Sequence, residues 1–233
     1  MPDLTVPVPG ATELPAYLAR PSVGSGPWPG VVLIHDAVGM TTVTREHSDR
    51  LATAGYLTLA PDLYSRGGLI KCLVSTLSAV ASGQGQAYED IAASRAWLRQ
   101  SDQCTGRVGV IGFCMGGGFA LMTAAQGFDA SAANYGQVPR DLAALNGACP
   151  IVASYGAKDR LLGSAGDRLK RALTERNIAN DVKTYPRVAH GFMDRYNLGP
   201  LSPVLRVAGF GYDHASADDA WGRILRFFAV NLS

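Results

Sequence analysis

The sequence predicts an α/β fold in which helices cover both faces of a mainly parallel central sheet. Two stretches, GVVLIH (30–35) and YLTLAP (56–61), are continuously apolar, which is typical of strands buried on both faces. Amphipathic helical patterns separate these stretches, and strands that alternate with helices along a chain favour parallel pairing. Because α/β proteins of about 200–250 residues often form one domain, we predict a single domain over residues 1–233.

The remaining elements follow from the same periodicities. Residues 4–8 and 14–19 alternate polar and apolar positions, which predicts an antiparallel pair. The last helix carries an apolar stripe, and Ser216 with Asp219 predicts a capping box at its start. Further strands are predicted at 107–113, 130–136, 149–156 and 180–186, and helices at 41–56, 69–81, 87–100, 115–126, 164–177 and 217–231.

The composition argues against several classes of function. The net charge is only +2, and no Lys/Arg patch with interleaved aromatic residues is present, so nucleic-acid binding is not expected. No apolar stretch approaches the roughly 18 residues that cross a membrane. The first residues, MPDLTVPVPG, lack the pattern of a signal peptide. We therefore predict a cytoplasmic protein that binds neither nucleic acid nor membrane.

No motif in the chain predicts a metal ion or a cofactor. The four cysteines include no CxxC pair and fit no zinc spacing. There is no P-loop and no GxGxxG after the first long strand, so neither a metal nor a nucleotide cofactor is expected. Cys72, Cys104 and Cys149 are interpreted as small buried apolar side chains. Cys114 differs from them because of its position.

Cys114 directly follows an apolar strand and precedes a predicted helix. Ligands bind beyond the carboxyl ends of parallel strands, so this is a position where chemistry is expected. The stretch Gly112-Phe113-Cys114-Met115-Gly116 matches the nucleophile elbow G-x-nucleophile-x-G of α/β-hydrolases. Glycine at 112 and 116 would relieve a steric collision in so sharp a turn. The N-terminus of the following helix favours a thiolate, which predicts that Cys114 is a nucleophile.

Two further strand ends carry the partners that such a nucleophile requires. Asp159 follows the strand at 149–156, and His190 lies beyond the last strand. The order Cys, Asp, His is the chain order of the triad in this fold. We predict that His190 is the general base and that Asp159 accepts its Nδ1–H and holds the tautomer. A turn cap is the alternative role for Asp159.

Backbone N–H groups near Cys114 are candidates for an oxyanion hole. The N–H of Met115 lies at the start of the helix, and the N–H of Ala37 lies in the loop after the first long strand. Tyr135 ends the strand at 130–136 and is a further candidate for the site.

The quoted residues are part of a wider resemblance. The chain resembles the dienelactone hydrolase family (carboxymethylenebutenolidases) in the stretches GFCMGGG, PDLYSRGG, YGAKDRL, AHGFMDRY and DAWGRILRFF, which extend over nearly its whole length. The resemblance implies the α/β-hydrolase fold and a Cys-His-Asp triad that opens an enol-lactone through an acyl-thioester. Carried onto this chain, the nucleophile is Cys114, the acid Asp159 and the base His190.

The resemblance also implies residues around the triad. An acidic residue after the first long strand contacts the resting thiol in the family, and Asp36 stands there. It could keep the thiol protonated, or orient it away, until substrate arrives. Family arginines bind a substrate carboxylate, and one of them matches Asp194, which Arg195 follows. Arg66, at a strand end, is another candidate for binding an anionic substrate.

The expected partner is thus a small ester or lactone, with the protein a monomer or a small homo-oligomer. One alternative is a general carboxylesterase or thioesterase of the same fold. Another is a redox-sensing thiol protein, with Cys149 or Cys104 as resolving cysteine, and a third is a silent binding protein. We expect segments 69–88 and 194–216 to border the site, although the former could be an ordinary packing helix.

Overall fold

The computed structural model describes residues 4–196 and 211–233. Within these ranges one sheet contains eight strands. They are β1 (Leu4–Val6), β2 (Leu14–Ala19), β3 (Trp28–Ile34), β4 (Leu57–Pro61), β5 (Cys104–Phe113), β6 (Ala130–Asn134), β7 (Ile151–Gly156) and β8 (Asn180–Tyr185). The helices are α1 (Thr42–Thr53), α2 (Gly68–Ser82), α3 (Gln86–Gln100), α4 (Met115–Thr123), α5 (Ala165–Glu175) and α6 (His214–Asn231), with a 3₁₀ turn at Leu142–Leu145.

The sheet has the order β1-β2-β4-β3-β5-β6-β7-β8. β1 and β2 pair antiparallel, and β2 also runs antiparallel to β4, while every pairing from β4 to β8 is parallel. The carboxyl ends of β3 to β8 therefore meet at one edge. The predictions of a mainly parallel sheet and of an antiparallel N-terminal pair are confirmed.

Helices cover both faces of the sheet because the central strands are apolar on both. Val31 and Leu33 of β3 pack in a cluster with side chains of α6, whereas Val32 and Ile34 pack in a second cluster with side chains of α3 and α4. All four side chains are fully buried. Continuous apolar runs rather than alternating ones are what such two-sided burial requires.

The start of α6 differs from the prediction. The helix begins at His214 rather than at residue 217, because Asp213 provides the cap: its Oδ1 accepts a hydrogen bond of 2.9 Å from the N–H of Ser216. Ser216 thus lies in the first turn, and the predicted capping box is wrong. None of the helices in the described part of the chain is long and apolar enough to span a membrane.

Candidate active site

The elbow between β5 and α4 holds Cys114 in a strained conformation. Its φ of 53° and ψ of −116° are unusual for a residue with a side chain. A Cβ at Gly112 would overlap the carbonyl oxygen of Gly116, and a Cβ at Gly116 would overlap that of Ile34 at the end of β3. The first glycine is thus required by the turn itself, as predicted. The second is required by the neighbouring strand.

The thiol of Cys114 is partly exposed at the N-terminus of α4. The N–H of Cys114 itself donates to Asn134 O on β6, at 3.0 Å. The next N–H groups belong to the first turn of the helix, which has no intrahelical acceptor for them. They and the helix dipole favour negative charge at the sulfur or on an atom bound close to it.

His190 and Asp159 meet at the same edge of the sheet. His190 Nδ1 lies 2.7 Å from Asp159 Oδ2, and both side chains are almost completely buried. Asp159 Oδ1 accepts the N–H groups of Leu161 and Leu162, at 2.9 and 3.2 Å. Burial by itself raises the pKa of Asp159, but the hydrogen bonds from His190 and from these N–H groups lower it overall. Asp159 is thus held as a carboxylate at neutral pH.

The imidazole of His190 is hydrogen bonded to Asp159 on one side and interacts with the thiol of Cys114. Burial lowers the pKa of His190, but its interactions with Asp159 and Cys114 raise it to about 10. The structure therefore brings together the three residues of the predicted triad. This arrangement suits transfer of the thiol proton of Cys114 to His190, because the two partners stabilise the imidazolium form of His190.

A cavity of about 460 Å³ opens at this site. Cys114, His190, Met115 and Tyr135 contribute to its lining. One wall is apolar and includes Leu77 and Val80 of α2, so the α2 segment borders the site as expected. The other expected segment, 194–216, lies largely outside the described residues, because positions 197–210 fall between the two described ranges.

Two arginines that the sequence analysis missed line the cavity. Arg140 lies in the loop after β6 and is exposed, and Arg168 lies in the first turn of α5. Arg168 Nη2 donates to the carbonyl oxygens of Pro139 and Arg140, so it holds the loop that carries Arg140. A search of whole loops after the strands, rather than of the first residues only, would have found Arg140.

The two arginines proposed from the sequence lie elsewhere. Arg66 is tied to Asp90 by an ion pair of 2.6 Å and to Thr12 by two hydrogen bonds. Arg195 is exposed, stacks on the ring of Tyr212 and donates to its hydroxyl at 2.7 Å. Neither lines the cavity. Their assignment to substrate binding is not supported, because a sequence position does not reveal which partner a long side chain chooses.

Asp36 is buried in the loop after β3, where its Oδ1 accepts the N–H of Val38 at 2.7 Å. The carboxylate thus braces its own loop. Burial first, and the negative charge of Asp194 second, raise the pKa of Asp36 to about 6.

Tyr64 links the two elements that carry the candidate oxyanion donors. Its hydroxyl lies 3.3 Å from Ala37 O and 3.5 Å from Met115 Sδ. It thereby connects the loop after β3 to the start of α4. The sequence offered no signal for this role, because Tyr64 is one of several residues after β4.

His35 illustrates a histidine that the site does not use. Its Nδ1–H donates to Asp36 O at 2.7 Å, and its Nε2 accepts the N–H of Leu63 at 3.2 Å. Burial lowers the pKa of His35 overall, so the ring is neutral. It is a structural imidazole whose two nitrogens are both hydrogen bonded. Within residues 4–196 and 211–233, no cluster of three or more His, Cys, Asp or Glu side chains is arranged to hold a metal ion.

Comparison with known proteins assigns the chain to a family. The sequence profile of the dienelactone hydrolase family matches residues 14–232. The chain belongs to the dienelactone hydrolase family. The resemblance read from the elbow and its partner motifs is thereby confirmed, and this dienelactone hydrolase family member is a hydrolase of carboxylic ester or lactone bonds.

Individual relatives extend over most of the chain. A carboxymethylenebutenolidase-like protein of Salmonella typhimurium is 30% identical over 238 residues, which cover 93% of this chain and 83% of that protein. The carboxymethylenebutenolidase of Rhodococcus opacus is 27% identical over 239 residues, which cover 94% of this chain and 87% of that protein.

Solved structures agree with the fold. A dienelactone hydrolase-like protein of Klebsiella pneumoniae superposes with a TM-score of 0.77 at 26% identity and covers 97% of each chain. A dienelactone hydrolase-like promiscuous phosphotriesterase from metagenomic libraries superposes with a TM-score of 0.81 at 23% identity, covering 99% and 98%. The predicted α/β-hydrolase fold is confirmed for this dienelactone hydrolase family member.

Proposed function

We propose that the protein hydrolyses an enol-lactone or a small activated carboxylic ester through Cys114, His190 and Asp159, with an acyl-thioester intermediate. The observation that carries this proposal is the position of His190. It is hydrogen bonded to the carboxylate of Asp159 and interacts with Cys114, and both His190 and Cys114 line one cavity. A base that contacts its nucleophile and is oriented by a third group is the arrangement that covalent catalysis requires.

Acylation begins when His190 Nε2 takes the proton of Cys114 and Sγ attacks the carbonyl carbon. The C–S bond forms while the carbonyl π electrons move to oxygen. We assign the N–H groups of Met115 and Ala37 to that oxyanion, and one such donor is worth roughly 10²–10³ in turnover. When the carbonyl reforms, the C–O bond to the leaving oxygen breaks. In an enol-lactone this oxygen leaves as a stabilised enolate, and the imidazolium of His190 can return its proton to it.

Deacylation uses the same groups. Water loses a proton to His190 and attacks the thioester carbonyl, and the oxyanion forms again in the same position. The C–S bond then breaks, and the thiolate receives the proton held by His190. The carboxylate of Asp159 stabilises the imidazolium in both half-reactions without taking a proton itself.

The lining of the cavity supports a small amphipathic substrate that carries an anionic group. Leu77, Val80, Val138, Leu161 and Leu162 line it with apolar surface, while Arg140 and Arg168 supply positive charge. A guanidinium binds a carboxylate with two parallel hydrogen bonds, which gives both affinity and orientation. These arginines take over the role expected of Arg66 and Arg195.

A second candidate is a general carboxylesterase or thioesterase. Asp194 stands at the position where the family resemblance implies an arginine, and Leu161 at the cavity is 71% exposed. Both features favour esters whose acyl group is apolar rather than anionic. Comparing kcat/KM for neutral and anionic aryl esters that share one leaving group separates the two candidates.

The redox alternative finds no support in the positions of its resolving cysteines. Cys104 begins β5 and Cys114 follows its last residue, so a strand of 10 residues separates them. At about 3.3 Å per residue this is roughly 30 Å. Cys149 precedes β7, which runs parallel to β6 and β5, and it therefore also lies toward the opposite edge of the sheet.

The proposal is tested with Cys114→Ala and Cys114→Ser on an enol-lactone and on aryl esters. The matched control is Cys149→Ser, because Cys149 is also partly exposed but burial raises its thiol pKa to about 12. We expect both Cys114 variants to fold and to lose at least about 10⁴-fold in kcat, with the control unaffected. Acid-quenched wild type should carry the acyl group on Cys114 by mass spectrometry. Hydrolysis at the wild-type rate by folded Cys114→Ala would refute the proposal.

A further inference from the structure

We propose that Asp194 is a positioning residue for the base, which holds the ring of Tyr135 against His190 and is itself held by His47. This inference rests on the proposed function, because it assigns a role relative to the base His190. It concerns a buried cluster, His47–Asp194–Tyr135, that the triad does not include.

The cluster is a continuous chain of hydrogen bonds. Tyr135 donates its hydroxyl proton to Asp194 Oδ2 at 2.8 Å, and Asp194 Oδ1 lies 2.9 Å from His47 Nε2. Both carboxylate oxygens are therefore engaged. All three side chains are buried, with exposed fractions of 0%, 5% and 8% for Tyr135, Asp194 and His47. Hydrogen bonds in such a dry environment are strong and restrict the geometry of the groups that make them.

Tyr135 connects this cluster to the base, because its ring contacts the imidazole of His190. Its ring meets the imidazole of His190 edge-on, with 5.2 Å between the centroids, and lines the cavity beside Cys114. Its backbone has a φ of 40°, a left-handed conformation that is rare outside glycine, and its N–H donates to Ser154 O at 2.7 Å. A strained residue persists only where its surroundings hold it, and the hydroxyl bond to Asp194 is one such restraint.

Asp194 also acts on the segment that carries His190. Its own N–H donates to Gly191 O at 3.1 Å, which closes a turn directly after His190. Asp194 therefore restrains His190 in two ways: through the turn that its N–H closes after His190, and through Tyr135, which contacts the imidazole.

The far end of the cluster is anchored beneath the elbow. The ring of His47 stacks on Phe113, with 4.3 Å between centroids, and lies 5.3 Å from the ring of Trp221. Phe113 directly precedes Cys114. The support for the base and the support for the nucleophile thus share one packed unit.

The charges around the cluster show why its members are not interchangeable with apolar residues. Asp36 and Cys114 face Tyr135 together with Asp194, and the charge of Asp194 raises the pKa of Asp36 while His47 lowers it. Removing the carboxylate of Asp194 therefore changes the field at the site as well as the position of Tyr135.

The test compares Tyr135→Phe with Tyr185→Phe. Both changes remove the hydroxyl of a buried tyrosine that is bonded to a carboxylate, since Tyr185 donates to Asp219 Oδ2 at 2.7 Å, but Tyr185 does not line the cavity. We expect Tyr135→Phe to lower kcat about tenfold at nearly constant KM, because a small misplacement of a base is costly. The rate of Cys114 alkylation by iodoacetamide at pH 7 should fall with it. Tyr185→Phe should change neither.

A double-mutant cycle tests whether Asp194 acts through Tyr135. We expect Asp194→Ala to lower kcat at least as much as Tyr135→Phe, and the double variant to lose no more than Asp194→Ala alone. Should Asp194→Ala fail to fold, the cycle is run with Asp194→Leu, which has nearly the same shape but no acceptor for Tyr135. If the fold-loss in kcat of the double variant equals the product of the two single losses, the two residues act independently. That result would overturn the inference that Asp194 acts through Tyr135.

The inference is overturned if folded Tyr135→Phe matches Tyr185→Phe in both kcat and alkylation rate. Alkylation reports on the His190–Cys114 pair without any substrate, so this outcome is separate from a failure of the proposed function. That failure would appear as hydrolysis by Cys114→Ala, whatever Tyr135→Phe does.

Discussion

Two buried histidine–aspartate pairs lie close to the elbow. In one, His190 Nδ1 is 2.7 Å from Asp159, and in the other His47 Nε2 is 2.9 Å from Asp194. Distance and burial hardly distinguish them. Their surroundings distinguish them. His190 interacts with the thiol of Cys114 and lines the cavity, whereas the ring of His47 packs against Phe113 and Trp221.

The comparison teaches that a histidine–carboxylate pair is not by itself a catalytic signature. What makes one pair a candidate for chemistry is access to a nucleophile and to solvent-filled space. The second pair can act only through what it touches, which is Tyr135 on one side and the aromatic core on the other.

The largest contrast is expected between His190→Ala and His47→Ala. His190→Ala should fold and lose about 10⁴- to 10⁶-fold in kcat, as removal of a triad base does elsewhere. His47→Ala should lose about tenfold in kcat but about 1–3 kcal/mol in free energy of unfolding, since it removes one hydrogen-bond partner of the buried Asp194 carboxylate. Steady-state kinetics and urea unfolding check this. Equal kinetic losses in the two variants would contradict the distinction between the pairs.

Asp159→Asn should give the next largest effect, about 10⁴-fold in kcat. The carboxylate stabilises the imidazolium, so its removal lowers the pKa of His190 and leaves the thiolate of Cys114 less stabilised. The pH profile of Cys114 alkylation should therefore move to higher pH. Asp167→Asn, an exposed change in the first turn of α5, serves as the control. An unmoved profile in Asp159→Asn would argue that Asp159 caps its turn and no more.

Arg140→Ala should have a smaller effect that depends on the substrate. We expect KM for an anionic aryl ester to rise about tenfold, the loss of one charge-assisted contact worth about 1.4 kcal/mol. KM for the neutral analogue should not change. Arg195→Ala is the matched control, because that exposed side chain lies outside the cavity lining. If Arg195→Ala raised KM for the anionic ester more than Arg140→Ala does, Arg195 would be the residue that binds the carboxylate, as the sequence analysis expected.

Asp36→Asn should have the smallest effect on activity and a distinct effect on stability. Burial, and then the charge of Asp194, raise the folded-state pKa of Asp36 from 3.8 to about 6, while His47 opposes the shift. The folded state then binds more protons than the unfolded state between these values, so stability should fall as pH rises through this window, by about 3 kcal/mol. Asparagine can still accept the N–H of Val38. Urea unfolding at pH 4, 6 and 8 should show a flatter profile in Asp36→Asn, and identical profiles would contradict the raised pKa.

The comparison of the two pairs also shows how far a sequence can be interpreted. Cys114, Asp159 and His190 could be identified because each follows a recognisable strand, and the order of strands in this fold places all three at one edge. His47 and Asp194 are 147 positions apart in the chain, one inside a helix and the other beyond the last strand. No local pattern indicates that such residues meet.

The prediction that Arg66 and Arg195 bind substrate was not supported, for a related reason. Arg66 and Arg195 were chosen by their distance from a strand end or a motif, yet a long flexible side chain can reach several partners, and here Asp90 and Tyr212 bind them. Arg140 and Arg168 come from different elements, a loop and a helix, which only folding places at the same cavity. Which charged side chains face a cavity is decided by tertiary packing, so it cannot be inferred from their positions along the chain.

The sequence alone determined the alternation of buried strands and helices, the glycine at 112 and the chain order of nucleophile, acid and base. These depend on local backbone geometry and on periodicity, which neighbouring residues encode. The tertiary structure decided which histidine meets the thiol, which carboxylates influence each other and which arginines face the cavity. Those outcomes depend on distances between side chains far apart in the chain, and such distances exist only once the sheet has assembled.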